Sequence, residues 1–385
     1  MEIMVNLVFS RRTAPSLRAL LLFLLLFATI IFLATPTLRA QIPVGVSYMA
    51  NSDRASIQSV LDNPSVDGLS IRVSWSSVEL SDRVYDWSFI DSEVAKAAAS
   101  GKWVLLRLVT MAARPQWVTD AITAAGGKFF TWTDSEGTHT VPVLWDPTYV
   151  AKKKQMLADL GARYGSNPTI KIVAVSFANC TSEDWNVPHL DDNVAEWFSL
   201  GYSSAIMLDT WQQFVDTAMA GFPNAFITLA INGNGHTDGL NLDQDTNYLA
   251  RNAILYANLN YPGRLIVQKN GFSATTVPAE LCDGNFQLLY DAYPNSGGQM
   301  LFNVIGDTTY RMNGGVPGDP ATILHNAVNI ALGYHVKYLE IYQLDCVNLP
   351  TEINYAHNML HNAPTPTPTP SGTPPAAPTG LRVDQ

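Results

Sequence analysis

The sequence predicts an α/β fold, a (β/α)8 TIM barrel, on three observations. Eight short runs rich in β-formers recur along residues 42–362, helix-like stretches fall between them, and the runs are continuously apolar rather than alternating. A strand that is apolar throughout has both faces covered, which is the condition of a parallel sheet with helices outside it. Eight such units in about 320 residues suit one closed barrel. The competing architecture, a doubly wound open sheet, is expected to begin with a Gly-rich first turn. "VGVSYMANSD" (44–53) is not one.

In chain order the expected strands are "PVGVSYM" (43–49), "GLSIRVSW" (68–75), "WVLLRLV" (103–109) and "IKIVAVSF" (170–177). "FITLAI" (226–231), "RLIVQ" (264–268), "QMLFNVI" (299–305) and "KYLEIY" (337–342) complete the set. Helices are expected over 87–101, 147–165, 205–222 and 320–334. In the first of these, Phe89, Ile90, Val94 and Ala97 fall at helical spacing, and Gly101 stands where a helix ends. In such a barrel, function sits at the C-terminal ends of the strands.

The flanks read differently. Arg11, Arg12 and Arg18 precede or border an apolar run over 19–35, and "TLRA" leads to Gln41. That is the pattern of a signal peptide, residues 1–40, cleaved after Ala40, so a secreted, extracellular protein is expected with no membrane attachment after cleavage. An uncleaved anchor is the alternative, because the run approaches spanning length. Residues 363–378 form a Pro/Thr-rich tract, read as an extended linker. Residues 379–385 look like the start of a truncated fibronectin type III-like module, so further modules are expected C-terminal to the linker.

A net charge of −10 argues against nucleic acid, whose phosphates demand Lys and Arg. Nine Trp and fifteen Tyr suit a neutral ligand with flat apolar faces, as sugars have. Cys180, Cys282 and Cys346 allow at most one disulfide and lack the spacing of a zinc or iron–sulfur site. "DQDTN" (243–247) resembles a calcium loop but has Tyr248 where the sharp turn needs Gly. His357 and His361 share a helix face without the Glu of "HExxH", and a terminal surface helix accounts for them. No GxSxG elbow occurs. No cofactor and no metal are expected.

Residues 67–108, "DGLSIRVSWSSVELSDRVYDWSFIDSEVAKAAASGKWVLLRL", together with "RPQWV" (114–118) and 141–165, resemble the retaining glycoside hydrolases of clan A, of which the chain looks like a divergent member. The resemblance implies a carbohydrate substrate and a Glu acid/base at the end of strand four, normally directly after an Asn. Here "SFANCTSEDWNVP" (176–188) separates Asn179 from Glu183 by three residues, with Asp184 as competitor. The clan's nucleophile is a Glu ending strand seven, where this chain has no carboxylate before Asp307. Glu340 on the eighth run is the substitute. By the same resemblance Arg72 supports the nucleophile and Asn179 holds the sugar 2-hydroxyl.

The chemistry needs one carboxylic acid to protonate the leaving oxygen and one carboxylate facing the anomeric carbon. Glu183 beside Trp185 suits the acid, since partial burial raises a carboxyl pKa. Glu340, between Leu339 and Ile341, needs a compensating cation, and Arg72 and Arg107 are candidates. The expected catalytic pair is therefore Glu183 and Glu340, with Arg72, Trp75, Asn179, Trp185, Gln268, Asn270 and Tyr342 binding substrate. Each has a plainer alternative: a structural ion pair for Glu340, a solvated loop acid for Glu183, core-edge packing for Trp75 and Trp185, and an Asn-Gly turn for Asn270. The rival function is a non-catalytic carbohydrate-binding barrel.

Overall fold

The computed structural model describes residues 41–363, except 112, 135–136, 176–195, 232–247 and 283. Eight parallel strands close into a barrel in sequential order: β1 (Gly45–Met49), β2 (Gly68–Ser74), β3 (Trp103–Val109), β4 (Ile170–Ala174), β5 (Phe226–Ile231), β6 (Leu265–Phe272), β7 (Ser296–Met300) and β8 (Tyr338–Tyr342). β8 returns to β1 with Ser47 opposite Glu340. Two antiparallel hairpins, over 79–85 and 129–142, are added to the loops.

The helices follow the strands: α1 (Ser88–Ala99), α2 (Gln116–Ala124), α3 (Pro147–Tyr164), α4 (Ser204–Gly221), α5 (Tyr248–Asn260), α6 (Gly284–Asp291), α7 (Pro320–Gly333) and α8 (Pro350–Asn362). Two start with the same device. Asp146 accepts from the Thr148 and Tyr149 amides ahead of α3, and Asp319 from the Thr322 amide ahead of α7, each followed by Pro at the first helical position. The acceptor satisfies amides that a helix start leaves unpaired, and proline has no amide to satisfy.

Most of the core lies between strands and helices, where Leu69, Ile71 and Val73 of β2 alternate with residues facing inward. The barrel interior is layered. Leu105, Ile172, Phe226, Ile266 and Tyr338 form its apolar floor, with Trp103 against them. Two residues further along their strands come Arg107, Thr228, Gln268 and Glu340, all buried. A period of two keeps these on the inward face, so the polar layer lies on the C-terminal side of the apolar one. Glycine makes room for the floor: a Cβ at Gly297 would lie 2.3 Å from the Tyr338 ring, and one at Gly68 2.5 Å from Trp103.

β7 begins three residues earlier than the apolar run predicts, at Ser296 rather than Gln299. The "SGG" start has no β-rich signal, because Gly297 is chosen for the space Tyr338 occupies. β6 runs on to Phe272, so Asn270 is a strand residue and not part of an Asn-Gly turn. Gly271, at φ +97°, forms a bulge there, where the register shifts between Asn270 and Phe272.

Candidate active site

The polar layer is one connected network. The Ser70 hydroxyl donates to Glu340 Oε1 at 2.5 Å, while Arg107 Nη2 at 3.0 Å and Gln268 Nε2 at 2.6 Å donate to Glu340 Oε2. Arg107 Nη1 also donates to Gln299 Oε1 at 3.3 Å. Gln268 is held at both ends, its Nε2 donating to Asn270 Oδ1 at 2.8 Å and its Oε1 accepting from the Tyr338 hydroxyl at 2.5 Å. Side chains from β2, β3 and β6 thus converge on the carboxylate carried by β8, and Gln299 of β7 joins them through Arg107.

Burial makes this network consequential. Glu340 has no exposed surface, whereas Arg107, Asn270 and Gln299 keep 5–9%. An ionised carboxylate deprived of water needs an opposite charge and donors to both oxygens. Glu340 has them. Of the two arginines expected to serve it, Arg107 makes the ion pair, at 3.0 Å. Arg72 lies beside Arg107 in register on β2 and is only half-buried.

Tyr342 ends β8, half-buried, with its hydroxyl 3.4 Å from the Leu301 carbonyl oxygen and its ring tilted on Phe302. Trp75 requires a correction. It is 0% exposed, packs on Trp117 and Tyr149, and its indole N–H donates to Glu79 Oε2 at 2.6 Å. No face is left for a sugar. β2 stops at Ser74 and a helical turn begins at Trp75, which carries the indole into the core instead of the mouth. Asn179, Glu183 and Trp185 lie outside the described residues, as do Asp184 and the 243–247 segment.

Sequence reasoning missed Asp345, just past β8. Its carboxylate is fully buried and accepts from the Val304 and Ile305 amides at 2.9–3.0 Å, tying the loop after β7 to the segment after β8. Burial pushes its pKa up to about 6, and the two amides oppose the shift only in part. The one signal available was its place after a strand end, a position shared with many surface acids. Among the described residues, the group of His and acidic side chains whose ligand atoms do converge, Asp67 with His357 and His361, lies at the opposite end of the barrel.

A family model for glycoside hydrolase family 42, described as beta-galactosidase, matches residues 57–210, which run from the approach to β2 into α4. No curated protein matches the chain. Among solved structures, the catalytic domain of beta-amylase from Paenibacillus polymyxa is similar with a TM-score of 0.54 at 11% identity, over 83% of this chain and 99% of that one. Beta-galactosidase from Bacillus circulans sp. alkalophilus is similar with a TM-score of 0.54 at 10% identity, over 83% of this chain. The family match covers less than half of the chain. The chain spans 56% of that beta-galactosidase chain. At these identities the structural likeness speaks for the barrel alone, and the likeness to a glycoside hydrolase family is one of residues 57–210.

Proposed function

We propose that the protein is a secreted glycoside hydrolase that cleaves O-glycosidic bonds of an oligo- or polysaccharide with a pair of carboxylates. The observation that carries the reading is the polar layer beneath the C-terminal mouth. Arg107, Gln268, Asn270 and Gln299 form a preorganised bed of hydrogen-bonding side chains there, anchored on Glu340. Sugar hydroxyls need donors and acceptors held in fixed directions, and a network bonded to itself holds them without reorganisation. Glu183, which follows β4 in the sequence, is the acid that protonates the leaving oxygen, and Glu340 is the second carboxylate. Asn179 and Trp185 come from the same stretch of sequence, and Arg72 and Tyr342 from the C-terminal parts of β2 and β8. Residues 1–40 direct export, and 363–378 are a Pro/Thr-rich linker.

A second reading is favoured by one observation. β7, Ser296–Met300, carries no carboxylate, and its inward side chain near the mouth is the neutral Gln299. With Glu340 sealed off in an ion pair, the barrel would bind a carbohydrate without cleaving it.

Both readings meet the same experiment. Wild type, Glu183→Gln and Glu340→Gln, each shown to be folded, are assayed for reducing-sugar release on a panel of neutral plant, fungal and bacterial polysaccharides. The hydrolase reading expects turnover on at least one polymer and a loss of about a thousandfold or more in each variant. Wild-type binding to a polymer without any turnover would replace it with the binding barrel. Turnover that survives Glu340→Gln would move the second carboxylate elsewhere.

A further inference from the structure

The face of the barrel opposite the mouth carries a second constellation. Asp67 immediately precedes β2, and His357 and His361 project from α8, 290 and 294 residues further along the chain. His357 Nδ1 lies 2.9 Å from Asp67 Oδ2, and His361 Nε2 lies 2.9 Å from Asp67 Oδ1. The two imidazole rings stand 4.4 Å apart, centroid to centroid. One ligand atom from each of the three residues falls within 4.8 Å of the others. The i, i+4 histidine pair looks like a bare helix feature in the sequence. Folding supplies its third member.

We propose that Asp67, His357 and His361 form a zinc site that fastens the C-terminal helix to the strand ends of the barrel floor. Three arguments carry it. The donor set is two imidazole nitrogens and one carboxylate oxygen, a combination that suits Zn2+ and is poor for Mg2+ or Ca2+, which take oxygen ligands. The spacing is close to the required one. Bonds of about 2.0–2.1 Å in a tetrahedron place ligand atoms about 3.3 Å apart; with one Asp67 oxygen as ligand, its 2.9 Å contact opens by about 0.4 Å, and the remaining separations, within 4.8 Å, close by up to about 1.5 Å through small side-chain rotations. The carboxylate is also oriented by a further contact, because the Val46 amide donates to Asp67 Oδ2 at 2.8 Å.

Access and charge agree. The His361 side chain is 41% exposed, so the ion enters from solvent and keeps a water as its fourth ligand. The nearby Lys102 ammonium donates to the carbonyls of Asn63 and Val66, so it leaves the Asp67 oxygens to the imidazoles. Metal-free, each imidazole N–H donates to the carboxylate. On binding, zinc takes the lone pairs of His357 Nδ1 and His361 Nε2, and the ring protons reside on His357 Nε2 and His361 Nδ1. No net proton or electron is required. The site joins segments almost 300 residues apart, so its occupancy stabilises the closed barrel without touching the mouth.

The test uses the full chain, stripped with EDTA and dialysed, titrated calorimetrically with zinc chloride. Wild type is expected to bind one Zn2+ per chain at micromolar or lower concentration, with Tm raised by about 3–6 °C at a hundredfold excess over Kd. His361→Gln, at an exposed position that tolerates the change, and Asp67→Asn are each expected to weaken binding at least about thirtyfold. Cobalt substitution should give weak visible bands of a tetrahedral N/O site without sulfur charge transfer. No heat and no Tm change in wild type would overturn the proposal. So would stoichiometric binding that is indifferent to His361→Gln and His357→Gln, or a cobalt spectrum with thiolate character, which would assign the ion to cysteine.

Discussion

Replacing Glu340 by Gln tests how the barrel interior is held. Glu340 Oε1 accepts from Ser70, and Oε2 from Arg107 and Gln268. A glutamine keeps one acceptor oxygen and turns the other into an amide NH2 that faces donors. Gln268 cannot rotate to meet it, because its Nε2 serves Asn270 and its Oε1 receives the Tyr338 hydroxyl. Arg107, whose side chain is 6% exposed, loses the carboxylate at 3.0 Å. Removing one partner of a buried ion pair costs about 3–5 kcal/mol. With an unfolding entropy of about 2.1 cal/mol/K per residue over about 320 residues, that lowers Tm by about 4–7 °C. The assay is calorimetry of wild type, Glu340→Gln, Arg107→Met and the double variant at pH 7. The double variant should be less destabilised than the sum of the singles, with a coupling of at least about 1.5 kcal/mol. A Glu340→Gln melt within about 1 °C of wild type, or strict additivity, would refute the pair as a structural unit.

Three further outcomes are expected of other buried positions. Asp345 has a folded pKa raised from 3.8 to about 6, so the fold binds its proton more tightly than the unfolded chain does. That contribution is complete below about 3.8 and is lost as pH climbs through 6; lowering the pH from 7 to 5 should stabilise wild type over Asp345→Asn by about 1.3 kcal/mol, read as a difference in Tm. Trp75→Phe deprives the buried Glu79 carboxylate of its indole donor and should cost about 1–3 kcal/mol while leaving sugar binding and turnover unchanged; lost binding with unchanged stability would restore Trp75 to the site. Gly297→Ala puts a Cβ 2.3 Å from the Tyr338 ring and should cost at least about 1–3 kcal/mol, seen as lower yield and Tm; an unchanged melt would contradict the layered interior.

The barrel was legible because a parallel strand covered on both faces reads as an apolar run, and seven of the eight runs start within two residues of their strands. The eighth, β7, was misplaced because Gly297 and Gly298 are selected by what surrounds them: Tyr338 for one, Phe272 and Leu339 for the other. Strand patterns show side-chain alternation but not what fills the space opposite a glycine. Within the site, Glu340 stands out as a polar residue inside an apolar run and Gln268 as one at the end of its run, whereas Asn270 lies past the expected sixth strand. Ser70 and Gln299 could not be singled out, since their importance comes from Glu340 and Arg107 on strands distant in sequence. Trp75 was misread because the strand end and the turn that redirects its indole are one residue apart. Asp67 had no local signal that would join it to two histidines almost 300 residues away.

The central proposal is that Glu183 protonates the leaving oxygen, and its most direct test varies the leaving group. On the polymer found active, and on a dinitrophenyl glycoside of the same sugar, kcat/KM is measured for wild type and Glu183→Gln. A nitrophenolate leaves without a proton, so the account predicts a loss of about a thousandfold or more on the polymer and under about tenfold for the bond-breaking step on the aryl glycoside. Equal losses on both substrates, or no loss on either, would contradict it.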